Sequence, residues 1–191
     1  ADVRGPIGDA VLVLLGAVAV ALCGRQVLRQ RHPAARRAWT LLTVGYGLYL
    51  VADTAWLVHT LGHDGEVPFL TWIDGVYLAY YPFVLAGLLA LPAAPRRRSE
   101  RVKFALDLTT VVLAGGLVLW FAVVRPLALE SYSRPLEAAI SLAYPSMGLL
   151  LLTGATAVLL RPQRAVGRVT LALLAAAALV DLAADLGYGV A

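Results

Sequence analysis

The stretch AWTLLTVGYGLYLVADTAWLV, residues 38–58, runs for 21 residues with Asp53 as its one charged side chain. About 20 apolar residues cross a bilayer as a helix, so this stretch predicts a transmembrane helix rather than an element of a soluble core. The same test applied outward gives segments at 8–27, 69–91, 104–124, 136–160 and 169–190, six in all. The first is the weakest, because its clean apolar core is only Ala10 to Gly24. Composition agrees: 60% of the 191 residues are hydrophobic and 15% are charged, against an apolar content of about 45–50% in soluble domains. The expected fold class is an all-α polytopic helix bundle, a single transmembrane domain in the plasma membrane.

Arginines supply the orientation. The connections after segments 1, 3 and 5 hold Arg25, Arg29, Arg31, Arg36, Arg37, Arg96, Arg97, Arg98, Arg101, Lys103, Arg161, Arg164 and Arg168, whereas the opposite side holds Arg4, Arg125 and Arg134. Insertion retains basic loops in the cytoplasm, so the N-terminus and residue 191 are both expected outside. The net charge of +4 then faces lipid headgroups rather than nucleic acid. Residues 1–9 lack a basic n-region, which argues against a cleaved signal peptide. An initial Ala1 and an even number of crossings lead to the expectation of an excerpted chain, with a seventh helix beyond Ala191 ahead of any cytoplasmic output domain.

A carboxylate in a membrane helix is expensive and tends to face the bundle interior or a cavity. Asp53 lies about 22 Å along an outward-running helix at 1.5 Å per residue, and Asp185 occupies a similar height. Asp74 and Glu137 start inward-running helices, which predicts that all four acids share the outer third. Residues three, four and seven apart share a helix face. Such faces group Tyr46, Tyr49, Asp53 and Trp56; Asp74, Tyr77 and Tyr81; Glu137, Ile140 and Tyr144; and Asp181, Asp185 and Tyr188. A phenol can donate to a carboxylate and lower the cost of burying it. The candidate ligand-binding set is therefore Asp53, Asp74, Glu137, Asp185, Asp181, Tyr49, Tyr81 and Tyr144, lining an outward-open pocket for a proton, a metal ion or an organic cation. The competing reading makes these acids packing residues that bond neighbouring helices or reach toward headgroups.

Pro82 and Pro145 fall inside apolar segments, each directly after a tyrosine, and predict kinks that are either hinges or static shape features. His59 and His63 are four apart and form a weak metal candidate beside Asp64 and Glu66. Cys23 is the single cysteine, so no internal disulfide forms. The sequence carries no phosphate-binding glycine loop, nucleophile elbow, Cys-rich metal motif or HExxH motif, so neither a cofactor nor catalysis is expected in this segment.

The stretches DGVYLAYYPFVLAGLLAL from Asp74 to Leu91, LDLTTVV from Leu106, LAYPSMGLLLL and AADLGYG together resemble the multi-pass N-terminal membrane region of actinobacterial signalling proteins that end in GGDEF and EAL domains. The resemblance implies a sensory module controlling cyclic di-GMP turnover, with an output domain in the same chain and, because cyclase domains work in pairs, a homodimer; related membrane regions also precede histidine-kinase outputs, so the output is not fixed by the resemblance. Members of this group carry an acid shortly after the second Tyr-Pro; here Ser146, Met147 and Gly148 follow Pro145. Two rival classes remain open at this level, an ion or solute transporter and a passive anchor.

Overall fold

The computed structural model describes residues 4–62, 72–92 and 135–159 continuously, and residues 102–125 in part. Four helices run through these residues: α1 (Arg4–Arg29), α2 (Pro33–Gly62), α3 (Trp72–Leu89) and α4 (Pro135–Leu159). Residues 112–117 are helical as well, and the described chain is all-α. It divides into two compact units, residues 1–90 and 91–191.

The helices begin and end on local chemistry. His32 accepts the amide of Arg36 at 2.9 Å, and Pro33 takes the first helical position of α2. Proline suits that position because its missing N–H would have no intrahelical partner there. The amide of Gln30 donates to the Gln26 carbonyl at 3.0 Å and closes α1. α2 therefore spans 30 residues, beyond the expected 38–58 at both ends, because Pro33 opens the helix well before the apolar run and apolarity marks only its middle.

Three helices, Gly8–Arg29, Pro33–Gly62 and Trp72–Leu89, are long and apolar enough to cross a membrane. Six were expected. Among the described residues α4 contributes a shorter apolar stretch, Leu142–Val158, the 104–124 segment is described only in part, and the 169–190 segment lies outside the described residues.

In the first unit α2 packs against both α1 and α3. α1 turns one stripe toward α2: Asp9, Val13, Gly16, Val20, Val27 and Gln30 are half-buried and Cys23 is buried. These positions alternate steps of three and four, which keeps them on one helix face. A Cβ on Gly16 would lie 3.3 Å from Leu50. The α2–α3 contact is closer still. A Cβ on Gly45 would meet Val84 Cγ2 at 2.5 Å and the Val84 backbone nitrogen at 3.2 Å, and one on Gly87 would meet Leu42 at 2.8 Å. Two glycines on facing helices thus let the backbones approach, as small residues do in membrane bundles.

The outward faces are apolar. Leu15, Val18 and Leu22 on α1, Val51 and Val58 on α2, and Phe83 and Leu89 on α3 are exposed, whereas the buried set includes the carboxylate of Asp53. An exposed apolar surface on all three helices is unusual for a water-soluble domain and suits a lipid surround. Hydroxyls are satisfied within their own helices: Thr40, Thr43, Thr54 and Thr60 each donate to the carbonyl four residues back, at 2.7–2.9 Å.

The second unit is described by itself. α4 continues through Pro145, which is buried with Gly148, Leu151, Ala155 and Val158. Ser146 donates to the Leu142 carbonyl at 2.7 Å beside the proline. Gly115 faces Leu149, and a Cβ there would collide with it.

Candidate functional site

Antiparallel packing sorts the charges of the first unit. Asp9, Asp53 and Asp74 lie toward the end remote from the α1–α2 turn, while Arg25, Arg29, Arg31, Arg36 and Arg37 cluster at that turn.

Asp53 stands at the centre of the acidic end. It is 6% exposed and is the buried charged residue of the described chain. The Tyr77 hydroxyl of α3 donates to its Oδ1 at 2.7 Å. Its Oδ2 is buried and has no hydrogen-bond partner among the described residues. Leaving a buried polar atom unpaired costs about 1–3 kcal/mol, more for a charged group. From α1, the Asp9 carboxylate lies within electrostatic reach of Asp53. Asp74 sits one helical turn from Tyr77, half-buried in the first turn of α3, where an acid complements the helix dipole.

A run of aromatic rings leads away from the carboxylate between α2 and α3. Tyr77 meets Tyr49 edge-on at 5.2 Å, Tyr49 meets Tyr80 at 5.0 Å, and Tyr80 meets Tyr46 at 5.7 Å and Tyr81 at 5.1 Å. Offset and edge-to-face pairs in this distance range hold about 0.5–1.5 kcal/mol each beyond their buried area. The rings couple the position of Tyr77 to the packing of Tyr81, which is directly followed by Pro82. α3 remains helical through that proline, whose ring is exposed. The site can accept one more proton or donor at Oδ2, and any such change bears directly on the Tyr77 contact between the helices.

The sequence-predicted residues separate into groups. Asp53, Asp74, Tyr49 and Tyr81 belong to this one arrangement. Glu137 and Tyr144 lie on α4 in the second unit; Tyr144 is half-buried, and the side chain of Glu137 lies outside the described residues. Asp181 and Asp185 also lie outside them. His59 is half-buried and His63 falls outside; among the described residues no three metal-ligating side chains gather. An open apolar groove of about 750 Å³, lined by Val51, Thr54, Val58, His59, Trp72 and Ile73, runs beside the site without including Asp53.

Three participants were missing from the expected set. Tyr77 shares a face with Asp74 in sequence, but its pairing with Asp53 depends on the α2–α3 register. Tyr80 lies one turn from both Tyr77 and Val84. Asp9 opens the half-buried stripe of α1, and the spacing of that stripe is the signal that points to it.

Fold and site together define an all-α protein with three helices able to cross a membrane and a carboxylate buried among them. No known protein family, curated protein or solved structure matches the chain, so the likeness to cyclic di-GMP signalling proteins rests on the short sequence motifs alone.

Proposed function

We propose that the chain is a membrane-embedded sensory and anchoring module of a bacterial signalling protein. Asp53 receives an extracytoplasmic or membrane stimulus, a proton or small cation, and the tyrosine-linked α2–α3 pair passes it to a cytoplasmic cyclic di-GMP cyclase or phosphodiesterase in the same protein. The supporting observation is Asp53 Oδ2, buried beside Tyr77 with no hydrogen-bond partner among the described residues. A carboxylate kept only for packing would be expected to have both oxygens satisfied. The cyclic di-GMP output is carried by the sequence resemblance.

In this reading the membrane domain has six crossings, with the N-terminus and residue 191 outside, and Pro82 and Pro145 act as hinges. Transport fits less well, because a pathway needs acids through its length and the inner half offers only Asp107.

The test is cyclic di-GMP measured in cells producing the complete protein, with wild type compared with Asp53→Asn across a shift of external pH and added cation. The variant is expected to insert normally, by reporter fusions at residue 191, and to lose the response. An unchanged response leaves the anchor reading in place.

A further inference from the structure

We propose that the outward face of α1 holds one anionic phospholipid, its phosphate on Arg25 and Arg29 and an acyl chain along Leu22, Val18 and Leu15. These five residues occupy one side of the helix, at steps of three and four. All five are exposed, with Leu15, Val18 and Leu22 at 61%, 55% and 56%. The face opposite to them is the one that packs on α2 through Val13, Gly16, Val20 and Cys23.

The dimensions suit a single leaflet. From Arg25 to Leu15 the helix rises about 15 Å at 1.5 Å per residue, half of a hydrocarbon core of about 30 Å. A phosphate at Arg25 therefore places its acyl chain beside three exposed apolar side chains. Arg29, one turn further out, presents a second guanidinium, and planar guanidinium donors match phosphate oxygens.

Charge selects the headgroup. No acid occurs between Asp9 and Asp53, so the turn that holds Arg25, Arg29, Arg31, Arg36 and Arg37 has no counter-charge within fifteen residues on either side of Arg25 or Arg37. Arg29 lies in the last turn of α1 and the first turn of α2 contains no acid. Juxtamembrane clusters of this density attract anionic lipid. A zwitterionic headgroup brings its own cation and gains less.

The experiment uses the purified chain in detergent, with lipid retention read by native mass spectrometry. Phosphatidylglycerol should be retained at least about tenfold better than phosphatidylcholine, and increasingly less as ionic strength rises. Arg25→Gln with Arg29→Gln should lower phosphatidylglycerol retention about thirtyfold, while Arg125→Gln leaves it unchanged. Equal retention of the two lipids overturns the proposal, as does retention that ignores salt or the double substitution. Displacement of the lipid by millimolar inorganic phosphate would assign the arginines to a free anion instead. Should the double variant lose helicity by circular dichroism, the lipid preference and salt dependence of the wild-type protein decide the matter.

Discussion

The hydroxyl of Tyr77 donates to Asp53 Oδ1 across 2.7 Å, joining α3 to the buried carboxylate of α2. This bond, and the neighbouring Oδ2 that has no partner among the described residues, make the site both a structural tie and a place where one more proton or donor changes the balance.

Removing the donor should be costly. Tyr77→Phe leaves the second oxygen of a buried carboxylate unpaired and is expected to destabilise the first unit by about 1–3 kcal/mol. Tyr77→Phe combined with Asp53→Leu should cost less than the sum of the single changes, because no buried acceptor then remains. Thermal unfolding in detergent across this double-mutant cycle is the check; additive losses would mean the two groups do not interact.

Glycine positions separate close contact from open space. Gly45→Ala places a methyl 2.5 Å from Val84 Cγ2 and 3.2 Å from backbone, and should destabilise by about 1–3 kcal/mol as overpacking does. Among the described residues nothing lies within 4 Å of a Cβ at Gly47, so Gly47→Ala should be neutral or stabilise by up to about 1 kcal/mol. Unfolding midpoints of both variants give the comparison.

The fold was legible in sequence to different depths, and the reasons are physical. Apolar length located α1, α2 and α3, because crossing a bilayer needs a minimum run of apolar residues. It missed the start of α2, where Pro33 rather than hydropathy sets the limit. Helical spacing put Tyr49 with Asp53 and Asp74 with Tyr77. It did not reveal that Tyr77 bonds Asp53, since that register follows from the close approach at Gly45 and Gly87. Asp9 escaped notice because the apolar core of its segment begins one residue later.

Thiol chemistry reports the buried stripe of α1. Cys23 is a free, buried cysteine, whereas Leu28 is 88% exposed near the arginine turn. Maleimide labelling of the native protein should be at least about tenfold slower at Cys23 than at Leu28→Cys in a Cys23→Ala background, burial and exposure being what control thiol access. Similar rates would show that α1 does not pack on α2 through this face.

Thr54 makes the opposite kind of prediction. Its hydroxyl donates to the Leu50 carbonyl of its own helix at 2.7 Å on an exposed face. Thr54→Val should change stability by no more than about 0.5 kcal/mol, and a larger loss in detergent unfolding would point to a partner across the bundle.

In the proposed function Asp53 receives the stimulus rather than merely filling space. Infrared difference spectroscopy of the protein in lipid nanodiscs, recorded on stepwise acidification and on addition of a small cation, addresses the carboxyl group itself. A stimulus received at Asp53 should give a carboxyl band change accompanied by a tyrosine ring band from Tyr77, both absent in Asp53→Asn. Identical difference spectra for wild type and Asp53→Asn would contradict it.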